Sequence, residues 1–84
     1  MNHVVYVIRG RDGEFYKGVT TYLRKRLRYH NAGLSRWTKG RGPFTTIHTK
    51  EFDSKAEALR YEKFLKSGKG REFIKATYKK DVTT

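Results

Sequence analysis

The chain has 84 residues, a length that forms one domain with a single modest core. It has no cysteine, which excludes disulfides and thiolate zinc sites, and its longest apolar run, Val4 to Ile8, is too short to cross a bilayer. Its 20 lysines and arginines against 8 acidic residues give a net charge of +12, which predicts a polyanionic partner, with nucleic acid ahead of an anionic membrane surface.

The first predicted element is a β-hairpin. Val4 to Ile8 is β-branched and aromatic, which is typical of a buried strand, and Phe15 to Val19 repeats that signal after the turn residues 10–13. Because side chains alternate along a strand, Tyr6 and Tyr16 share a face only if the connecting loop has odd length or contains a bulge. We predict that register.

A helix follows the hairpin. Thr20 or Thr21 is expected to cap its N-terminus, and the helix runs to about Asn31. Gly33 is predicted to end it as a residue in the left-handed conformation, which glycine adopts without steric cost.

The second half of the chain predicts a strand and two helices after an irregular basic loop, residues 34–43. Phe44 to Phe52 alternates loosely and should be the third strand. Ser54 to Glu57 is a capping box, so a helix begins there and runs to about Lys66. Arg71 to Lys79 is predicted to form a last short helix, with Phe73, Ile74 and Thr77 turned inward.

Together these elements predict an α+β fold, a three-stranded antiparallel sheet flanked by two main helices plus a short C-terminal helix. Residues 1–80 are expected to form a single domain, and residues 81–84 a frayed tail. Because the N-terminus lacks a signal-peptide pattern, we expect a soluble cytoplasmic protein that does not enter membranes.

Glu62 is the residue with the most chemical content. The inward face of its helix is predicted to carry Ala58, Leu59, Leu65 and, among them, Glu62. A carboxylate in such a position is either desolvated or paired. It could meet Lys63 or Lys66 at the helix edge, or it could hold a divalent metal through oxygen, as one carboxylate with waters and a phosphate oxygen does for magnesium.

Arg26 lies beside the apolar stripe of its helix, Leu23 and Leu27, and one turn before His30. Its stem could simply cover apolar surface. Alternatively, its planar guanidinium could bind two phosphate oxygens and stabilise charge that develops on them.

Tyr6 and Tyr16 could be ordinary core aromatics, or their phenols could orient or activate an attacking water. His30 could accept a proton or fix a tyrosine hydroxyl, whereas His3 and His48 have no sequence partner that suggests a role. Gly18 either ends its strand or lets a substrate approach closely.

The remaining candidate contacts to nucleic acid are basic or aromatic residues spread over the hairpin, the first helix, the loop and the last turn of the second helix. Besides Gly18, they are Lys17, Arg24, Lys25, Arg28, Arg36, Trp37, Lys39, Arg41, Lys66 and Lys69.

These residues match a known family in order and spacing. Val4-Val5-Tyr6 stands where the first motif has Gly-Ile-Tyr, and Tyr16-Lys17-Gly18 stands where the second has Tyr-Ile-Gly. The run from Gly18 to Asn31 is similar to the helix that carries the family's catalytic arginine. The segment Glu57 to Lys63 is similar to the helix that carries its metal-binding glutamate. With Lys66 to Phe73 as its tail, the chain resembles the GIY-YIG nuclease domain, especially small stand-alone bacterial members that are similar to the excision-repair endonuclease.

The resemblance implies a metal-dependent endonuclease that hydrolyses DNA phosphodiester bonds, in repair or in processing of structured DNA. It implies that Glu62 binds one Mg²⁺ or Mn²⁺ ion and that Arg26 stabilises the transition state. Tyr6 would be the general base with help from His30, and Tyr16 would orient the water or the phosphate.

Two departures from the motifs and two other functions stay open. Val4 replaces the first glycine, and Lys17 replaces an apolar residue but should point away from Tyr16. The alternatives are a non-catalytic nucleic-acid-binding module and a protein-interaction domain. RNA is not excluded as the target, and the sequence does not separate a monomer from a weak dimer.

Overall fold

The computed structural model describes residues 2–34 and 38–78, which form three strands and three helices. The elements in chain order are β1 His3–Arg9, β2 Phe15–Thr20, α1 Leu23–Asn31, β3 Thr45–Phe52, α2 Lys55–Lys66 and α3 Gly68–Tyr78. The predicted α+β class, with one antiparallel sheet and three helices, is confirmed. The predicted frayed tail at 81–84 and the loop residues Arg36 and Trp37 lie outside the described residues.

The sheet has the order β2-β1-β3, with both pairs antiparallel. In the hairpin, Tyr6 lies opposite Gly18 and Ile8 lies opposite Tyr16. Directly opposed residues in an antiparallel pair share a face, so Tyr6 and Tyr16 point to the same side. The predicted register is therefore confirmed. Lys17 points to the other face, as predicted, because it lies opposite Val7.

The central strand β1 is buried on both faces, which explains its continuous apolar sequence. On one face Val5 and Val7 pack against α2 and α3, through Ala58, Leu65 and Ile74. On the other face a second cluster, next to α1, contains Tyr6, Ile8 and Phe44, with Tyr16, Leu23 and Leu27 packed against it. Burying a side chain of valine or isoleucine size is worth about 1.5–3 kcal/mol, so these two clusters hold the sheet between its helices.

Helix α1 begins later than predicted. Its N-cap residue is Tyr22, which makes no side-chain capping bond. The Thr20 hydroxyl instead accepts a hydrogen bond from the Tyr22 N–H at 3.1 Å, so this threonine stabilises the turn before the helix and the predicted threonine cap is wrong. Gly33 has φ +75°, which confirms it as the left-handed residue after the helix.

Helix α2 follows its capping signal. The Ser54 hydroxyl accepts a hydrogen bond from the Glu57 N–H at 3.4 Å, and the helix ends at Lys66 as predicted. Leu59 was predicted to face inward, but it is 44% exposed. Tyr61 packs against the core cluster of α2 and α3 instead, and its ring meets that of Phe52 on β3.

Helix α3 begins at Gly68, three residues before the predicted start, and its 11 residues make it longer than α1. The Ser67 hydroxyl accepts a hydrogen bond from the Gly70 N–H at 3.2 Å, which supports the first turn. Gly70 packs directly on the end of α2, where a Cβ atom would lie 2.5 Å from the Leu65 Cα. Glycine is required at position 70 for this close packing.

The inward face of α3 was predicted only in part. Ile74 is fully buried, as expected. Phe73 is 42% exposed, and Thr77 is exposed with its hydroxyl donating to the Phe73 carbonyl at 2.8 Å. The predictions that Phe73 and Thr77 face inward are wrong, because the side of α3 that packs on the sheet is the one that carries Ile74.

Candidate active site

Tyr6 and His30 form the innermost part of the site. The Tyr6 hydroxyl lies 3.0 Å from His30 Nε2, and His30 Nδ1 lies 2.8 Å from the hydroxyl oxygen of the buried Thr38. In the tautomer whose Nδ1–H donates to Thr38, Nε2 accepts the hydrogen bond from the Tyr6 hydroxyl. The strand β1 and the helix α1 thus hold a phenol and an imidazole in one hydrogen-bonded chain.

Electrostatics sets the protonation of this pair. Burial raises the pKa of the Tyr6 phenol, with Arg26 lowering it and Glu62 raising it. Burial also lowers the pKa of His30, and the nearby charge of Arg26 acts in the same direction. At neutral pH the phenol is therefore protonated and the imidazole is uncharged and able to accept a proton.

Gly18 makes room for the Tyr6 phenol. A Cβ atom at this position would lie 2.9 Å from Tyr6 Cε2 and closer still to the phenol Cζ and hydroxyl. The reason for glycine here is thus the close passage of the Tyr6 ring over β2.

Tyr16 lies on the same face but has other partners. Its hydroxyl donates to Asp12 Oδ2 at 3.0 Å and accepts from Arg41 Nη1 at 3.0 Å, while its ring meets the edge of Phe44. A hydrogen bond from the Glu14 N–H is the main cause that lowers the pKa of Asp12. Arg41, predicted as a nucleic-acid contact, is tied into this network.

A cleft at the open edge of β2 holds the other two predicted catalytic residues. This edge cleft has a volume of about 390 Å³ and is lined by His3, Val19, Thr20, Thr21, Arg26, Lys55, Leu59 and Glu62. Arg26 is exposed, with its guanidinium 5.4 Å from the ring centroid of Tyr29. The Glu62 side chain is 20% exposed and its carboxylate lies 3.5 Å from Lys66 Nζ.

The predicted site residues therefore fall into three groups. Tyr6 and His30 are joined directly, and Arg26 and Glu62 share the edge cleft and both act on the Tyr6 phenol through their charges. Tyr16 uses its hydroxyl to bind the hairpin loop. Sequence reasoning missed Asp12 and Thr38. The position of Asp12 four residues before Tyr16 is a weak signal, and nothing in the sequence marks Thr38.

The predicted nucleic-acid contacts lie around this site. Arg24, Lys25 and Arg28 line a groove of about 860 Å³ that also includes residues of β1, α1 and β3. Lys39 and Lys69 are exposed. Lys17 and Lys66 line a separate cleft on the far side of Gly18 from the edge cleft.

A metal ion could be held at Glu62 but not by protein groups alone. Within residues 2–34 and 38–78 there is no cluster of three or more His, Cys, Asp or Glu side chains. The half-buried Glu62 carboxylate, beside the hydroxyl-bearing Thr20 and Thr21, fits a hard cation whose coordination is completed by water and substrate phosphate. None of the helices in the described part of the chain is long and apolar enough to span a membrane.

Comparison with known proteins shows the family of the chain. The family model for the GIY-YIG catalytic domain matches residues 2–79. A UPF0213 protein of Halobacterium salinarum is 49% identical over 65 residues, which cover 76% of this chain and 84% of that protein. One of Halalkalibacterium halodurans is 44% identical over 63 residues, 74% of this chain and 67% of that protein.

Two solution NMR structures share the fold. That of a UPF0213 protein from Bacillus halodurans has a TM-score of 0.57 at 39% identity, covering 92% of this chain and 85% of that one. That of a protein from E. faecalis has a TM-score of 0.59 at 34% identity, covering 93% and 88%.

The fold is a small α+β domain in which an arginine and a helix-borne glutamate share a cleft beside the edge strand β2 of a three-stranded sheet. The chain belongs to the GIY-YIG family, and its match to the catalytic domain extends over nearly its whole length. GIY-YIG is a nuclease family, so the class of substrate is nucleic acid.

Proposed function

We propose that this protein is a metal-dependent endonuclease that hydrolyses phosphodiester bonds of DNA, with its reaction centre in the edge cleft. The observation that carries the proposal is the meeting of Arg26 and Glu62 in one cleft at the edge of β2, where their charges act in opposite directions on the pKa of the Tyr6 phenol. An exposed arginine and a partly buried carboxylate that line the same cleft are what a phosphate and its counterion require.

Glu62 is the residue that would hold a divalent cation. A bound cation would supply charge stabilisation to the phosphate and acidify a bound water. Lys66 now neutralises the carboxylate at 3.5 Å, and its long exposed side chain can move away without disturbing α2. Mg²⁺ and Mn²⁺ both accept a single carboxylate with water and phosphate oxygens, and we propose one ion.

Arg26 would bind the non-bridging oxygens of the scissile phosphate. The guanidinium is always charged and has parallel N–H donors, so it matches the extra negative charge of a phosphoryl transition state. Its packing over the Tyr29 ring limits the motion of the side chain on the exposed face of α1.

His30 would be the final proton acceptor. The raised pKa of the Tyr6 phenol makes it a poor base by itself, whereas the lowered pKa of His30 keeps the imidazole neutral. The Tyr6 oxygen can accept a proton from the attacking water while the Tyr6 hydroxyl gives its own proton to His30 Nε2 through their 3.0 Å hydrogen bond. The Tyr16 network with Asp12 and Arg41 keeps the hairpin loop in place beside this path.

The test is nicking of supercoiled plasmid, because one such site cuts one strand at a time. With Mg²⁺ or Mn²⁺ we expect conversion to the open circle, and none with chelator. Arg26→Gln and Glu62→Gln should each lower the rate by about a hundredfold or more, the effect typical of losing one charge-stabilising group.

The matched controls are Arg60→Gln on α2 and Glu72→Gln on α3, which make the same charge changes at exposed positions outside the edge cleft. Equal losses in the controls would exclude a special role for Arg26 and Glu62. DNA binding without cutting by the wild type in either metal would favour a non-catalytic nucleic-acid-binding module instead.

A further inference from the structure

A second cleft lies beside the proposed reaction centre, and its lining is rich in cations. This lysine cleft has a volume of about 480 Å³ and is lined by Phe15, Tyr16, Lys17, His30, Thr38, Arg41, Lys66 and Arg71. It wraps around the open edge of β2, because Tyr16 and Lys17 point to opposite faces of that strand. Residues of the hairpin, α1, the basic loop, α2 and α3 thus meet at one place.

Two of its four basic side chains already have acidic partners. Arg41 contacts Asp12 at 3.7 Å and Lys66 contacts Glu62 at 3.5 Å. Within the described part of the chain, no salt bridge engages Lys17 or Arg71. These two cations come from different elements and face the same space.

The position of Lys17 is costly for an ammonium group. Burial lowers its pKa, and Arg71, Lys66 and Lys75 lower it further, while only Glu14 opposes them. An arrangement in which a half-buried lysine faces other cations favours an anion in the space between them. A phosphate oxygen could accept hydrogen bonds from Lys17 and Arg71 and would relieve their mutual repulsion.

The cleft also lies in line with the reaction centre. Lys17 lines it, and Val19 lines the edge cleft, with Gly18 between them. Two residues of an edge strand span about 7 Å, since each adds about 3.3 Å. A nucleic-acid strand that follows β2 can therefore place one phosphate in each cleft.

We propose that the lysine cleft binds the backbone phosphate next to the scissile one, with Lys17 and Arg71 as its ligands. The position relative to the scissile phosphate rests on the proposed endonuclease function, whereas the binding of a phosphate does not. Lys66 lies between the two clefts and pairs with Glu62, so it is left out of the test.

The first experiment measures phosphate binding without metal and without turnover. The ¹⁵N-labelled protein is titrated with inorganic phosphate and with a 5′-phosphorylated dinucleotide while NMR follows the backbone amides. We expect saturable shifts centred on Lys17 and Arg71, with the dinucleotide binding more tightly. Lys17→Gln and Arg71→Gln should each weaken binding about tenfold, as loss of a charge-assisted hydrogen bond does.

Lys63→Gln and Arg60→Gln are the matched controls, since both residues are exposed on α2 and line neither cleft. If they weaken binding as much as the cleft variants, the phosphate responds only to net charge and the proposal fails. Tighter binding of inorganic phosphate than of the dinucleotide would assign the cleft to free phosphate and overturn the backbone assignment. Arg71 is on the surface of α3, so its variant tests the cleft even if Lys17→Gln does not fold.

The second experiment locates the phosphate. Oligonucleotides that carry one uncharged methylphosphonate at successive positions are cut by the wild type and by Arg71→Gln. A methylphosphonate at one position beside the scissile bond should slow cleavage by the wild type about tenfold, and it should hardly slow cleavage by Arg71→Gln. If the enzyme cuts the DNA but no position shows this sensitivity, the placement of the phosphate is overturned. If no DNA is cut, the proposed function fails, and the titration still decides whether the cleft binds phosphate.

Discussion

At the scale of single residues, the Tyr6 phenol shows how one side chain serves both packing and chemistry. It belongs to the buried cluster with Ile8 and Phe44, and its hydroxyl reaches His30. A phenol suits this position because its ring can be buried while its polar tip keeps a hydrogen bond. The same burial raises its pKa, which is why the proposed mechanism makes the imidazole the final proton acceptor.

Gly18→Ala tests the contact that positions this phenol. The new methyl group would collide with the Tyr6 ring, and overpacking of this kind costs about 1–3 kcal/mol. We expect that loss in chemical denaturation, together with weaker nicking because the Tyr6–His30 bond is displaced. Gly68→Ala is the control, because a Cβ atom there meets nothing within 4 Å. Equal stability of the two variants would contradict the argument.

His48 makes stability depend on pH. Its ring nitrogens lie 2.9 Å from the Tyr78 hydroxyl and 2.8 Å from that of Tyr61, two structural partners that the sequence did not indicate. Burial lowers the pKa of His48, and Lys50 lowers it further. The unfolded chain then takes up the proton more readily, so stability is full above the unfolded pKa of about 6.5 and is lost as the pH falls below it.

We expect the free energy of unfolding to decrease between pH 7.5 and pH 5.5, with part of the decrease from His30, whose pKa is also lowered by burial. His48→Gln should be less stable at pH 7.5 but should show a smaller pH dependence over this window. Urea unfolding at several pH values measures both. A variant with the full pH dependence of the wild type would exclude His48 as its source.

At the scale of elements, the two helices of the proposed reaction centre are anchored very differently. Helix α2, which carries Glu62, has a serine cap and buries Ala58 and Leu65. Helix α1, which carries Arg26 and His30, has no side-chain cap and no fully buried residue. Glu62 therefore lies on the more firmly anchored of the two helices.

Ser54→Ala should destabilise the protein by about 1 kcal/mol, because the Glu57 N–H loses its acceptor at the start of α2. Ser54→Asn keeps a capping oxygen and is the control. Its free energy of unfolding should change by only a few tenths of the loss expected for Ser54→Ala. Thermal and urea unfolding measure the difference. If both variants match the wild type, the capping bond contributes nothing to stability.

At the scale of the whole molecule, the dominant feature is its net positive charge. A net charge of +12 on 84 residues repels itself in the folded state and is relieved by a polyanion. The cations of α1 and of the lysine cleft lie on either side of the edge cleft, so a bound strand would contact both.

Binding of the inactive Glu62→Gln protein to duplex DNA should fall steeply with salt. About five phosphate contacts predict a slope of about −4 to −5 in a plot of log affinity against log salt concentration. Arg28→Gln should reduce the magnitude of the slope by about one, whereas Glu72→Gln should not reduce it. Fluorescence anisotropy between 50 and 200 mM salt measures these slopes. An affinity that does not change over this range would refute electrostatic binding.

Much of the fold followed from local sequence signals. The run around Tyr6 was recognisable as a strand because β1 is buried on both faces. The shared face of Tyr6 and Tyr16 was one of two registers that the sequence allowed, and the odd-length loop of residues 10–14 in the structure decides it. Ser54 and Gly33 marked helix ends correctly because capping depends on one or two residues. Leu59 and Phe73 were predicted as core because a hydrophobic residue does not show which side of a helix meets the sheet.

The sequence by itself determined the order of strands and helices and the cationic charge that favours a polyanionic partner, because each depends on composition or on neighbours within a turn. The candidate site residues came from the order and spacing of the family motifs. Only the tertiary structure decided that Arg26 and Glu62 share one cleft, that His30 rather than Tyr16 meets the Tyr6 hydroxyl, and that Lys17 faces Arg71. Those contacts join residues far apart in the chain, and they arise from the packing of helices on the two faces and open edge of one small sheet.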